Sequence, residues 1–301
     1  MASKRVFSIQ SHVVSGYVGN KSATFPLQVL GFEVDAINSV QFSNHTGYGS
    51  WKGQVLNEDG LSDLTEGLIK NELDEYSHLL TGYVGSASFL LKIADLVSHL
   101  RQVNPSLVYV CDPVMGDNGK MYVPESLLPI YRDRIVPLAD IITPNQYEAE
   151  LLTGISITCV DDAWRAIQLL HEKGPRTVVL SSTELGSEDS LLGLASSRTE
   201  GGNYTRVSIK IPKFPANFTG TGDLFAALFL SWMSHSGGDL KTAIEKTVST
   251  LQAVLKRTMD NANRLAAGGK HKKKHLELQL IQSKADIETP HITVMAELVE
   301  N

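Results

Sequence analysis

The most regular feature of the chain is an alternation of short apolar runs with longer segments that carry apolar residues at helical spacing. The runs Leu107–Cys111 and Thr177–Leu180 have the length of β-strands. Because neither run alternates with polar residues, both faces of each strand are expected to be buried, as is typical of parallel sheets. Between strands, the apolar positions 89, 90, 93, 96, 97 and 100 predict a helix over Ser86–Gln102. The pattern therefore predicts an α/β fold built from βα units around a mostly parallel sheet.

The same analysis gives a set of predicted elements for most of the chain. The predicted strands are Val6–Ile9, Glu33–Val40, His78–Thr81, Leu107–Cys111, Asp140–Thr143 and Thr177–Leu180. The predicted helices are Lys21–Leu30, Leu61–Leu73, Ser86–Gln102, 222–235 and 239–265. Helices flanking a central sheet, with neither a repeat nor a linker in the sequence, indicate a single domain over residues 1–301.

Three segments depart from the βα alternation. Ser190–Ala195 and Tyr204–Ile211 are strand-like and flank the polar loop 196–203, which predicts an antiparallel hairpin at the edge of the sheet. Gly268–His275 is predicted to be a flexible basic loop. The segment from Leu276 onwards is predicted to pack at an edge or on the surface, and no functional role is assigned to it.

Composition and charge exclude several classes of protein. Hydrophobic residues make up 42% and charged residues 20% of the 301 residues, which is typical of a folded globular protein. A net charge of −6 does not suit a nucleic-acid-binding surface, and the run Lys270–Lys274 is interpreted as a solvated loop. The longest apolar stretch, Leu224–Leu230, is too short to span a membrane, and two cysteines fit a reducing compartment. We therefore expect a cytoplasmic protein without a membrane or nucleic-acid partner.

The strongest candidate for chemistry is the segment 219–223, Thr-Gly-Thr-Gly-Asp, directly before a predicted helix. Glycines allow backbone N–H groups to approach a ligand, and a helix N-terminus favours anions. Such a site suits a phosphate, with Asp223 placed to accept a proton from a hydroxyl group. The alternative interpretation is that Asp223 only caps the helix and the glycines only form the turn.

Familiar nucleotide and metal motifs do not occur in the sequence. It contains neither GxxxxGK[ST] nor GxGxxG after the first strand, and no HExxH. His271 and His275 are four residues apart, but a zinc site needs further ligands that the neighbouring lysines do not supply. Phosphate binding would therefore depend on the segment 219–223.

This segment resembles the glycine-rich anion-hole motif of the ribokinase-like small-molecule kinases, in the form found in vitamin kinases. Further motifs, in order along nearly the whole chain, resemble the pyridoxal kinase family: Ser8–Val13, Gly16–Asn20, Phe42–Tyr48, Thr81–Tyr83, Cys111–Asp117 and Thr143–Glu150. The resemblance implies a ribokinase-like fold and a homodimer. It also implies transfer of the ATP γ-phosphoryl group to the 5′-hydroxymethyl group of pyridoxal, pyridoxine or pyridoxamine.

The resemblance also implies a role for individual residues. Asp223 would be the catalytic base, and the amides of Gly220, Thr221 and Gly222 would form the anion hole. The vitamin ring would contact Ser11, Val18, Phe42, Thr46 and Tyr83, although ordinary core packing is the alternative for Phe42 and Tyr83. The residues on the ATP side would be Asp112, Asn145, Glu148, Ser181, Ser182, Tyr122, Thr221 and Gly222.

Two cation sites follow from the same resemblance. Asp112, Asn145 and Glu148 would lie beside Mg²⁺ or Zn²⁺, and Asp117 and Thr143 beside a monovalent cation, K⁺ or Na⁺. For Asp117 the alternative is a turn residue in Asp-Asn-Gly. Two other functions stay open from the residues: a hydroxymethylpyrimidine-type kinase of the same fold, and a non-catalytic carrier of pyridoxal phosphate.

Overall fold

The predicted strands and helices occur in their predicted order along the chain, with further elements between and after them. The computed structural model describes residues 4–300. Its strands are β1 Arg5–Val13, β2 Glu33–Phe42, β3 Gly53–Val55, β4 His78–Thr81, β5 Val108–Cys111, β6 Gly116–Asp117, β7 Lys120–Met121, β8 Ile141–Ile142, β9 Thr177–Thr183, β10 Ser190–Arg198, β11 Tyr204–Pro212 and β12 Ala296–Val299. Its α-helices are α1 Asn20–Val29, α2 Glu58–Lys70, α3 Ala87–Val103, α4 Leu127–Ile130, α5 Gln146–Thr153, α6 Val160–Lys173, α7 Thr221–His235, α8 Leu240–Ala266 and α9 Lys284–Glu288.

One large sheet organises the fold, with strand order β12-β11-β10-β9-β8-β5-β4-β1-β2-β3. The strands from β2 to β9 within this order pair in parallel, whereas β3 and the group β10, β11 and β12 pair antiparallel. The strands β6 and β7 pair with each other in a separate two-stranded antiparallel sheet. The predicted α/β fold with a mostly parallel sheet is therefore confirmed.

Neighbouring residues on the central strands point to opposite faces of the sheet, and both faces are buried. Leu79 and Tyr109 belong to the core beneath α2, α3, α5 and α6. Leu80 and Val110, the next residue on each strand, belong to the core beneath α1, α7 and α8. A strand covered by helices on both faces loses its polar positions, which explains the unbroken apolar runs in the sequence.

The antiparallel end of the sheet differs in detail from the prediction. The hairpin at 190–211 forms as β10 and β11, but β12 pairs with β11 and is the outermost strand. The segment from Leu276 is therefore an edge, as predicted, yet it is not only surface, because Leu278 and Leu280 are fully buried. The predicted basic loop ends in a short 3₁₀ turn, Lys273–His275, in which His275 is buried.

Several elements are absent from the sequence prediction. The helix α6 has Ala163, Ala166, Ile167 and Leu170 buried at helical spacing, but it is not among the predicted helices. The strand β3 is exposed at every residue and so lacks an apolar signature. Within residues 4–300, none of the helices has both the length and the hydrophobicity that crossing a membrane requires.

Candidate active site

The glycine-rich segment forms the beginning of α7. Gly220 is the residue before the helix and has a left-handed backbone conformation, with φ 86°. A Cβ atom at Gly220 would overlap the carbonyl oxygen of Tyr17. The first N–H groups of a helix have no partner within it, and no side chain caps this helix at Gly220. The backbone of Thr221 and Gly222 therefore presents N–H groups at an exposed helix N-terminus, which suits an anion.

Asp223 belongs to the first turn of this helix, and its carboxylate contacts a distant part of the chain. Its Oδ2 accepts a hydrogen bond of 2.8 Å from the backbone N–H of Gly19, 204 residues away in sequence. Burial raises the pKa of Asp223, and the Gly19 N–H partly offsets this increase. The observed bond is thus to the loop before α1, and it holds the carboxylate beside the helix N-terminus.

Asp112 faces the same helix end from the end of β5. A Cβ atom at Gly222 would lie 3.5 Å from Asp112 Oδ2, and Thr143 Oγ1 donates to Asp112 Oδ1 at 3.3 Å. Gly222 therefore faces this carboxylate, and a Cβ atom at Gly222 would contact it at an ordinary van der Waals distance. Of the two glycines, Gly220 is the one whose left-handed backbone and close contact with Tyr17 require a glycine.

Unfavourable electrostatics mark this part of the site. Burial raises the pKa of Asp112 well above its usual value, and the nearby carboxyl groups of Glu148 and Asp223 raise it further. Burial also raises the pKa of Glu148 to about 7, although backbone N–H groups of Asn145, Met115 and Gly116 oppose this increase. Desolvation and like charges together favour protonation of these carboxyl groups. A cation or a protonated group is needed to balance them.

Asn145 and Glu148 begin helix α5 as a reciprocal cap. The side chain of Asn145 accepts from the Glu148 N–H, and Glu148 Oε2 accepts from the Asn145 N–H. Glu148 Oε1 accepts from the Met115 N–H at 2.9 Å, and the Asn145 amide donates to the Gly116 carbonyl. These two residues therefore tie the start of α5 to the segment after β5, beside Asp112.

The predicted ring residues lie around the loop that holds Asp223. A Cβ atom at Gly19 would overlap the carbonyl and hydroxyl oxygens of Ser11, so the two residues are in close contact. The pairing of β1 with β2 shifts register at Ser11, an irregularity that often occurs next to active sites. Val18, adjacent to Gly19, is 8% exposed. Ser11, Val18 and Asp223 are thus brought together through Gly19.

The other ring residues lie on neighbouring loops. Thr46 begins an exposed 3₁₀ turn, and the next residue, Gly47, approaches the side chain of Thr219 just before the anion hole. Phe42 ends β2, with its ring centroid 6.4 Å from that of Trp51. Tyr83 follows β4, and its carbonyl accepts from Ser39. Its ring packs partly against the core, so the alternative of core packing holds in part for Tyr83.

The remaining predicted residues are more dispersed. Ser181 and Ser182 belong to β9, and the Ser181 N–H bonds to the Pro144 carbonyl. Asp117 is exposed and accepts from the Asn118 N–H in the turn between β6 and β7, whereas Thr143 is buried and bonds to Asp112. The turn alternative therefore describes the contact that Asp117 makes. Tyr122 is 56% exposed just after β7.

Sequence reasoning missed two contributors to this site. The N–H of Gly19 holds Asp223, and the carboxylate of Glu277 contacts the loops of residues 17 and 45–48. Gly19 lies within the motif Gly16–Asn20, but a glycine has no side chain whose chemistry could indicate this role. Glu277 is about 230 to 260 residues from its partners, and nothing in the local pattern of its segment distinguishes it.

The donors present fit a divalent cation held together with a nucleotide. Among residues 4–300, no group of three His, Cys, Asp or Glu side chains converges to hold a metal ion alone. Mg²⁺ usually takes one or two protein carboxylates and completes its shell with phosphates and water. Asp112, buried and beside the anion hole, fits such a carboxylate, whereas the Glu148 oxygens already accept backbone hydrogen bonds.

Comparison with known proteins identifies the family. Residues 69–272 match the family model described as phosphomethylpyrimidine kinase. The pyridoxal kinase of Sus scrofa is 56% identical, over 97% of this chain and 94% of its own length. That of Arabidopsis thaliana is 54% identical, over the same shares of the two chains.

The chain belongs to the pyridoxal kinase family. Its activity is therefore the ATP-dependent phosphorylation of pyridoxal, which makes it an enzyme rather than a carrier. The structure of a pyridoxal kinase from Leishmania donovani in complex with ADP and pyridoxamine agrees, with TM-score 0.92 and 34% identity over 99% of this chain and all of that chain. The predicted ribokinase-like fold is confirmed with it. Pyridoxal kinases match over nearly the full length, so they are closer guides than the pyrimidine kinases of the family model.

Proposed function

We propose that this chain transfers the γ-phosphoryl group of ATP to the 5′-hydroxymethyl group of pyridoxal, pyridoxine and pyridoxamine, with Asp223 as the catalytic base. The observation that carries this proposal is the position of Asp223 in the first turn of α7. The free N–H groups of the turn and the carboxylate lie at the same point. A phosphoryl acceptor and the phosphoryl group itself must meet at such a point.

The chemistry follows from these groups. Asp223 accepts the proton of the hydroxymethyl group while the hydroxyl oxygen forms a bond to the γ-phosphorus. The bond between that phosphorus and the β,γ-bridging oxygen breaks, and ADP leaves. Negative charge spreads over the transferring oxygens, so fixed N–H donors stabilise the transition state without reorganisation. The amides of Gly220, Thr221 and Gly222 are the donors in this proposal.

The vitamin ring would bind between Ser11 and Thr46 as hydrogen-bonding groups, with Val18, Phe42 and Tyr83 as walls. The contact of Ser11 with Gly19 supports this arrangement, because Gly19 also bonds to Asp223. A ring held at Ser11 would therefore direct its hydroxymethyl group towards the base. The three vitamers differ at another ring position, which explains why one site would accept all of them.

The triphosphate would lie along Asp112, Asn145 and Glu148, and continue towards Ser181, Ser182 and Tyr122. Asp112 would hold Mg²⁺, or Zn²⁺, together with the phosphates, and the bound cation would neutralise phosphate charge. Asn145 and Glu148 would act by fixing the segment after β5, since their side chains bond to backbone there. Asp117 and Thr143 would lie near K⁺ or Na⁺. We also infer a cytoplasmic homodimer from the family resemblance.

The Asp223→Asn variant tests the assigned base. We expect kcat to fall by about 10²- to 10⁴-fold, because the amide cannot accept the proton, while ATP affinity measured by calorimetry stays near that of the wild type. The matched control is Asp239→Asn at the start of α8, where asparagine can replace the existing cap to the Thr242 N–H. Wild-type kcat in Asp223→Asn would refute the assignment.

A further inference from the structure

Glu277 is held in place by the segment on either side of it. Leu278 and Leu280 are fully buried, and the 3₁₀ turn Lys273–His275 precedes it. Its side chain is 14% exposed and faces the loop before α1, so closely that a Cβ atom at Gly16 would lie 2.5 Å from Glu277 Oε2. This carboxylate is therefore fixed against the loop that carries Val18 and Gly19.

The two oxygens of Glu277 bind two separate loops. Oε2 accepts from the backbone N–H of Tyr17 at 3.1 Å. Oε1 accepts from the Tyr48 hydroxyl at 2.8 Å and lies 3.1 Å from His45 Nε2. The rings of His45 and Tyr48 pack together with centroids 4.7 Å apart. One carboxylate thus joins residue 17 to both ends of the turn that contains Thr46.

A second contact from the same C-terminal segment reaches this turn. The amine of Lys273 contacts the carbonyl oxygen of Gly47. The Thr46–Tyr48 turn is short and has no buried residue, and its local bonds are those of the turn itself and those of the Asn44 side chain to the carbonyls of His45 and Ser50. Because Glu277 bonds on both sides of Thr46, it links this turn to Tyr17, the residue before Val18.

We propose that Glu277 is a positioning residue for the vitamin ring, which sets the spacing between the Val18 loop and the Thr46 turn. The proposal rests on the ring site described under the proposed function. Glu277 makes no hydrogen bond of its own to the helix N-terminus, and only its partner Tyr17 packs against Gly220. Its effect should therefore fall mainly on the vitamin and much less on ATP binding.

The conservative variant Glu277→Gln tests this role. A glutamine keeps one acceptor oxygen, whereas the Tyr17 N–H and the Tyr48 hydroxyl approach from two sides. We expect the KM for pyridoxal to rise about 10-fold, with the KM for ATP within about twofold of wild type. The matched control is Glu297→Gln, the same chemical change on the exposed residue of β12, for which we expect wild-type kinetics.

Thermal unfolding of each variant separates positioning from general stability. A folded Glu277→Gln protein whose pyridoxal KM is wild-type, or whose ATP KM rises equally, would overturn the proposal. If that variant does not fold, Tyr48→Phe decides, because it keeps the ring and removes one donor to Glu277. We expect its pyridoxal KM to rise about threefold, and an unchanged value would again overturn the proposal.

A Thr46→Val variant distinguishes this proposal from the function on which it rests. If Thr46→Val raises the pyridoxal KM and Glu277→Gln does not, the ring site stands and the role of Glu277 is refuted. If Thr46→Val binds pyridoxal as the wild type does, the ring site itself is wrong, and this proposal is overturned with it.

Discussion

The backbone of Gly220 offers a direct test of how the anion hole is built. We predict that Gly220→Ala destabilises the protein and also reduces kcat. Alanine at this position would have to adopt φ 86°. Its Cβ would lie 2.0 Å from another atom, whereas Cβ atoms in real proteins essentially never come within 3.0 Å of one. The atom in its way is the carbonyl oxygen of Tyr17, in the loop that leads to Val18 and Gly19.

The magnitude divides into two parts. A left-handed conformation costs a non-glycine residue about 1–2 kcal/mol, and overpacking typically adds about 1–3 kcal/mol. The free energy of unfolding should therefore fall by about 2–5 kcal/mol in Gly220→Ala. Relief of the overlap moves the Tyr17 loop, and with it the Gly19 N–H that holds Asp223. A displacement of about 1 Å at a reacting group can reduce the rate by about 10²-fold.

Gly31→Ala is the matched control for the conformational part. Gly31 has φ 84°, close to that of Gly220, and a Cβ atom there would meet nothing within 4 Å. We expect this variant to lose about 1–2 kcal/mol in urea unfolding and to keep its kcat. If the two variants lose equal stability and both keep kcat, the contact between Gly220 and Tyr17 does not position the Gly19 N–H that holds Asp223.

Two further predictions concern charge. In the absence of divalent cations, the free energy of unfolding should decrease from pH 5 to pH 8 less in Asp112→Asn than in the wild type. A carboxyl group with a raised pKa binds more protons in the folded state than in the unfolded state. The stability that it contributes is therefore lost as the pH rises from its unfolded pKa to its folded pKa. For Glu148 this range runs from 4.5 to about 7. Equal slopes in urea titrations would refute the like-charge argument. At matched ionic strength, K⁺ should support a higher rate than tetramethylammonium, and Asp117→Ala should weaken this difference; equal rates for the wild type would exclude the monovalent site.

The central part of the fold could be predicted because burial leaves a strong pattern. His78–Thr81 is predicted at its observed bounds, and the helix at 239–265 is displaced by one residue from α8. Edge elements such as β3 and β12 carry exposed residues, so no apolar pattern marks them. Their pairing is determined by neighbouring strands that are already in place, which is information that a local window does not contain.

In the candidate site, too, a local sequence pattern indicates some residues and not others. Asp223 could be predicted because an acidic side chain follows a glycine turn before a helix, and Asp112 because its segment resembles a motif of a known family. Asp223 is held by the backbone N–H of Gly19. Glu277, more than 200 residues further along the chain, bonds to both Tyr17 and Tyr48. Backbone donors have no sequence signature, and a contact across more than 200 residues depends on the complete fold.

Several features of the candidate site oppose the stability of the free protein. An uncapped helix N-terminus leaves donors without partners, Gly220 has a backbone that other residues avoid, and Asp112 is buried near two further carboxyl groups. Under the proposed function, a bound nucleotide and its cation would relieve the first and the last of these. In the proposed complex the phosphates would accept from the N–H groups and the cation would balance Asp112. The conformation of Gly220 is instead required by its close approach to the Tyr17 carbonyl. This combination fits a site for charged ligands, because packing alone would favour a capped helix and a neutral side chain at position 112.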